Sequence, residues 1–288
     1  MDATNFVHGI QLLHQGSGNS GALWVSSYDG ELWTPDSQVA NVGMSSSPGA
    51  VVYLGKLHAF HQGYGDNGQL WYNVFDGETW AGDVEVQNVG MSAGPSAVVY
   101  GRKLYVFHQG YGNNGQLWYS VFDGTSWSQD AQVPDTGMSS SPGAVVYGGK
   151  IYVFHQGYGD NGQLWYNVFD GTSWAGDVEV QNVGMSSGPS AVWFNEKIWV
   201  FHQGWGNNGQ LWYSIFDGAN WTQDVQVANT GMSDSPGAVA FGDSIAVFHQ
   251  GWGDNGQLWW NLFDGTEWAG DVQLENVGIS AGPSAVVY

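Results

Sequence analysis

The chain has 288 residues, 42% of them apolar and 15% aromatic, with no cysteine and a formal net charge of −21. Disulfides are excluded, and the acidic balance disfavours nucleic-acid backbones and anionic lipid heads as partners. No stretch approaches the roughly 18 apolar residues that span a bilayer, and residues 1–13 lack the cationic start and apolar run of a signal peptide. A soluble protein with no membrane insertion is expected, and its compartment is left open.

Residues 6–13, Phe-Val-His-Gly-Ile-Gln-Leu-Leu, read as an orphan strand. They run into His14-Gln15-Gly16, a tripeptide that recurs at His61, His108, His155, His202 and His249 with a constant step of 47 residues. A period of that size indicates stacked or radial repeats. The unit around His155 has an apolar run at 141–147, the turn Gly148-Gly149 and a second run at 150–154. A loop at 155–162 leads to a third strand at 163–169. The turn Asp170-Gly171-Thr172 precedes a fourth strand at 174–180 and a linker at 181–187. No helical period appears, so the chain is read as all-β.

Four antiparallel strands per unit, repeated radially, describe a six-bladed β-propeller of six 47-residue repeats forming one domain over 1–288. The first strand of each unit is built from Gly, Ser, Ala and Val, which suits the crowded axis. The last unit stops at Ala285-Val286-Val287-Tyr288 without its second strand. The N-terminal strand is expected to pair there and complete the last blade, which removes open edges. The copies alternate: Trp80, Trp174 and Trp268 begin Trp-Ala-Gly-Asp, whereas Trp127 and Trp221 begin Trp-Ser/Thr-Gln-Asp, with Trp33-Thr34-Pro35-Asp36 as a looser member.

Gly149-Lys150-Ile151-Tyr152-Val153-Phe154 resembles the second strand of kelch blades, and Phe169-Asp170-Gly171-Thr172-Ser173-Trp174 is similar to the Asp-box turn of sialidase-like propellers. With six near-identical short blades and no catalytic insertion, the whole chain resembles the bacterial and fungal β-propeller lectins of tachylectin-like, fucose-binding and Photorhabdus type. The resemblance implies a multivalent, non-enzymatic sugar binder. The fucose-binding group uses an Arg and a Glu with an aromatic at each site. This chain has one arginine, Arg102, so that set cannot recur six times.

The loop is the candidate carbohydrate site. A neutral sugar needs an aromatic ring under its C–H face and groups that donate and accept at its hydroxyls. The candidates in the His61 copy are His61, Gln62, Tyr64, Asp66 and Asn67. The next two copies offer His108, Gln109, Tyr111, Asn113 and Asn114, then His155, Gln156, Tyr158, Asp160 and Asn161. The last two offer His202, Gln203, Trp205, Asn207 and Asn208, then His249, Gln250, Trp252, Asp254 and Asn255. Each His either makes a structural hydrogen bond or donates to a ligand hydroxyl. In the first copy Ser17 and Ser20 replace the aromatic and the Asn, leaving five competent sites or a weak sixth. The strand residues Trp71, Trp118, Trp165, Trp212 and Trp259 are read as interblade core whose edges reach a site.

All five cationic residues, Lys56, Arg102, Lys103, Lys150 and Lys197, fall in the hairpin at the opposite face. Nothing on the loop face can therefore pair with an anionic ligand, and neutral glycans are the expected partners. No metal or cofactor is expected, because histidines on different blades cannot share an ion and the loop lacks the carboxylates of a calcium site. A monomer or weak homo-oligomer is expected. The alternatives are a kelch-like protein-interaction propeller and an engineered repeat scaffold.

Overall fold

The computed structural model describes residues 9–288, and among them there are nineteen strands and no helix. The first six strands show the plan: β1 (Ile10–Gln15), β2 (Ala22–Tyr28), β3 (Ser37–Tyr53), β4 (Lys56–Gly63), β5 (Gln69–Phe75) and β6 (Val84–Tyr100). The second half of β3 is the inner strand of the His61 blade, pairing Gly49 with Phe60 and Tyr53 with Lys56. β4 then pairs with β5, and the first part of β6 closes the blade on its outer edge through Trp71↔Glu85 and Tyr72↔Val84. The same four-strand plan recurs through the chain, giving a six-bladed β-propeller. The last blade is composite, as expected: β1 pairs with Ser284–Val287 in the register Ile10↔Val287 to Leu13↔Ser284. Residues 6–8 of the expected strand lie outside the described residues.

Two boundaries differ from the sequence reading. The second strand of the His155 blade runs over Lys150–Gly157, so His-Gln-Gly belongs to the strand and not to the loop. The reason is pairing: His155 and Gln156 stand opposite Trp165 and Leu164. The expected fourth strand and linker are one strand, Val178–Phe194, that leaves the rim of one blade and enters the axis of the next. It turns at Asn182 (φ 63°) and Ser187 (φ 59°), and Trp174 contributes only a bridge to Phe169. Asn tolerates the left-handed region because its short side chain can bond locally.

Small residues crowd the axis because a Cβ on Gly49 would collide with the Pro95 carbonyl of the next blade, and Gly143 and Gly237 stand likewise against Pro189 and Pro283. An axial cavity of about 340 Å³ is left. The core lies between blades. Phe60, Leu70, Val86, Val89 and Met91 of one blade pack with Leu104 and Val106 of the next. Trp127 of the next blade lies edge-on to Phe60, with centroids 6.0 Å apart and planes at 87°. Such a pair adds about 0.5–1.5 kcal/mol beyond the burial of its area.

Two positions break the ring's regularity and can be tested. Asn167 Nδ2 donates to Thr136 Oγ1 at 2.8 Å, and Asn261 Nδ2 to Thr230 Oγ1 at 3.2 Å. At the matching place Val42 faces Asn73, whose buried Nδ2 has no partner. Val42→Thr is expected to stabilise the fold by about 1 kcal/mol, read as a higher urea midpoint at unchanged slope.

Asp234 occupies the axial position held by Ser46, Ser140 and Ser187 in other copies. Burial pushes its carboxyl above the usual carboxylate range, against the opposing hydrogen bonds from Ser235, Gly282 and Ser187. A raised folded-state pKa means that the unfolded chain ionises more readily. The native state is therefore penalised above the ordinary carboxylate range and relieved below it. Asp234→Ser should raise the melting midpoint at pH 7, with the gain disappearing below about pH 4, where unfolded Asp is protonated.

Candidate functional site

The floor of each candidate site is a buried His–Asp contact. His61 Nε2 lies 3.1 Å from Asp83 Oδ1, and Nδ1 lies 3.1 Å from the Gln62 carbonyl oxygen. The six copies span 2.9–3.2 Å for the His–Asp contact. Both ring nitrogens face oxygen atoms. The Gln62 amide donates to the Met91 carbonyl at 3.4 Å. The structure thus corrects part of the sequence reading. His61, His108, His155, His202 and His249 are fully buried, and Gln62, Gln109, Gln156, Gln203 and Gln250 nearly so. They hold the blade together under the surface, because the Asp carboxylate and the Met or Ile carbonyl need these donors once removed from water.

The loop above them presents its aromatic ring outward. Tyr64, Tyr111, Tyr158, Trp205 and Trp252 are 64–67% exposed. Each ring leans on the loop of the preceding blade, where a Cβ on Gly21, Gly68, Gly115, Gly162 or Gly209 would strike it. Those glycines also have φ of 71–76°, so backbone and neighbour both require glycine there. Asp66, Asn113, Asp160, Asn207 and Asp254 share φ of 51–52°, which explains why Asp and Asn interchange at that place. The Asp66 N–H donates to Ser45 Oγ at 3.0 Å, and Asn67 Oδ1 accepts from the Gln69 N–H at 2.9 Å. Asn114, Asn161, Asn208 and Asn255 cap the same turn.

Between the His61 and His108 blades lies a groove of about 790 Å³. One wall is the outer strand of the first blade, with Glu85, Gln87 and Asn88. The other wall is Tyr111, Asn114, Trp118, Trp127, Gln129 and Asp130. Trp118 Nε1 and Trp127 Nε1 are buried donors with no protein partner. A matching groove of about 950 Å³ lies before the His202 blade and includes Trp205, Asn208, Trp212 and Trp221. A third, of about 820 Å³, lies before the His14 blade, where Ser17 and Ser20 stand in place of the aromatic and the Asn.

The structure therefore brings Tyr111 with Asn114, and Trp205 with Asn208, into grooves. Asn113 and Asn207 are exposed outside those groove walls. The sequence reading missed the outer-strand amides and Gln129, and it placed Trp118 in the interblade core with only its edge reaching a site. The strand pattern carried a signal: Trp118 shares its face with the polar Gln116 and Ser120, whereas Leu117 and Tyr119 face the core. No group of three or more His, Asp or Glu side chains gathers to hold a metal ion among the described residues.

The turn acids belong elsewhere. Asp123 accepts from the Thr125 hydroxyl and from the backbone N–H groups of Ser126 and Thr125, which lowers its carboxyl to about 2. It caps its own exposed turn at the far end of the blade.

No protein-family model and no curated protein matches the chain. Solved structures match its shape. The fucose-specific lectin from Aleuria aurantia superposes with a TM-score of 0.71 at 18% identity, covering 94% of this chain and 92% of that one. AofleA from Arthrobotrys oligospora gives 0.69 at 17% identity, covering 98% and 90%. An α-L-arabinofuranosidase from Clostridium thermocellum gives 0.58 at 15% identity, covering 84% and 97%. At these identities the likeness is one of fold: the chain shares the six-bladed β-propeller architecture of the fungal lectins.

Proposed function

We propose that this protein is a multivalent lectin that binds neutral glycans in the grooves between its blades. The observation that carries the reading is one arrangement: an exposed Tyr or Trp beside a groove walled by two further tryptophans, with carboxamides on both walls. A pyranose ring needs an aromatic surface for its C–H face and donors and acceptors for its hydroxyls. The cationic residues sit at the opposite end of the four blades that carry them, as Lys56 and Gly63 at the two ends of β4 illustrate. A sulfated or sialylated ligand would therefore meet acids and no counter-charge in the groove. The fold likeness to a fucose-specific lectin supports a sugar-binding use of the ring.

The proposed role is non-catalytic. Asp130 Oδ1 accepts from His108 and from the Ser120 hydroxyl, so this groove carboxylate is already engaged. A glycosidase needs two carboxyl groups facing one bond with different proton affinities. The groove's other acid, Glu85, accepts from Gln69 Nε2 at 2.9 Å, and a repeated groove whose acids are both engaged suits retention of a ligand better than its cleavage.

A single open groove of this kind binds a monosaccharide with a dissociation constant on the order of 1 mM. Several on one rigid ring raise avidity by about 10²–10⁴ on a dense surface. The protein should label neutral glycans on an array and agglutinate glycoprotein-coated particles, with release by free sugar. Tyr111→Ala and Trp205→Ala should each weaken their own site about three- to tenfold, measured by titration of single-site variants. Silence across a dense array overturns the reading.

A further inference from the structure

We propose that the grooves fall into two classes, and that strong binding of a hydroxyl-rich sugar is confined to two of the six. This rests on the lectin reading above. The grooves before the His108 and His202 blades are the strong pair.

The first observation concerns the blade corner. After their corner tryptophans, Trp127 and Trp221, the strong pair carry Gln129 and Gln223, both exposed. Ser128 Oγ and Thr222 Oγ1 accept the N–H groups of Val121 and Ile215 at 2.9 Å, which fixes the corner. Before the His61, His155 and His249 blades the corner is built differently. Gly82, Gly176 and Gly270 replace the glutamine, with φ of 98–101°. Their N–H groups donate to Asn73, Asn167 and Asn261 at 3.0–3.1 Å. That backbone admits no side chain readily, so these corners reach into the groove with nothing.

The second observation concerns the facing wall, which comes from the preceding blade. Opposite the glutamine corners stand Gln87 and Gln181, also exposed. Opposite the glycine corners, the same register holds Ala40, Pro134 and Ala228. At this register the two walls of a groove thus both carry an amide or both lack one, although they belong to different blades; two residues earlier Gln38, Gln132 and Gln226 stand where the strong grooves have Glu85 and Glu179. Each strong groove has a carboxamide on both walls at this register, whereas each weak groove keeps carboxamides only at neighbouring positions such as Gln38, Gln132 and Gln226. The groove before the His14 blade has Glu275 opposite Pro35 and no loop aromatic, so it joins the weak class.

Carboxamides on facing walls can each donate and accept, which fits hydroxyls on opposite edges of one sugar ring. Two such hydrogen bonds make a strong groove about tenfold tighter or more than a weak one. The test is calorimetric titration of the intact chain with the best monosaccharide from a glycan array. The expected isotherm has two strong sites and a weaker class. Gln87→Ala with Gln129→Ala should reduce the strong count to one. Adding Gln181→Ala and Gln223→Ala should abolish the strong class while the weak class persists. All four positions are exposed, and an unchanged melting curve checks folding. Five or six equal sites, indifferent to these substitutions, overturn the two-class proposal and leave the lectin reading standing. Absence of sugar binding at every groove overturns both.

Discussion

Everything in this molecule depends on one contact: the corner tryptophan of each blade set edge-on against the phenylalanine of the blade before it. Trp33 meets Phe248, Trp127 meets Phe60, Trp174 meets Phe107, Trp221 meets Phe154 and Trp268 meets Phe201, with centroids 5.6–6.0 Å apart and planes at 87–90°. The edge-to-face arrangement places the positive rim of one ring over the negative face of the other. It also sets blade spacing, because the fused ring is wide and cannot collapse further. At the seam where the two chain ends meet, Leu13 occupies the phenylalanine's place and packs in the cluster that receives Trp80. The ring therefore closes with the same logic but without its aromatic pair.

That contact also shapes the grooves. A tryptophan filling the space between two blades also lines the groove, and the backbone around it is committed to sheet pairing. The indole nitrogen is then a donor held in place by the core and unserved by the protein. The loop aromatic is held by a related device: it leans on a glycine of the preceding blade, so even the exposed ring belongs to a packed boundary. Fold and candidate site use the same residues, and each blade supplies half of two grooves.

The repeat made the fold legible. A constant step of 47 residues, four β-rich runs per unit and an unpaired strand at each end are sufficient for a closed ring of six blades. The site was legible only in part. Tyr111 stood out because glycines flank it and no local core is available to it. His108 misled because a polar residue after an apolar run resembles the start of a loop. Its partner Asp130 lies 22 residues away, just before the outer strand, and that spacing recurs in all six copies. A polar pair at fixed spacing in every repeat points to a buried bond, whereas a ligand site tolerates variation. The groove amides were illegible for another reason: Gln87 and Gln129 are 42 residues apart and meet only across a blade boundary that no local pattern encodes.

The propeller alone does not decide between binding and catalysis, since the same circle of sheets underlies a fungal lectin and an arabinofuranosidase. On the lectin reading proposed above, the weight falls on the state of the polar groups. A catalytic centre needs two groups of unlike proton affinity around one bond, and the groove acids Glu85 and Asp130 are both held by hydrogen bonds within the protein. Binding has no such requirement and gains from repetition, because each additional groove raises the effective concentration seen by the next. The departures from symmetry also fall at different depths. The histidine–aspartate floor is constant in all six blades, while the amides and corner residues above it vary between alternate blades. Uniformity in the buried layer and divergence in the exposed layer are what a scaffold with tuned recognition surfaces requires.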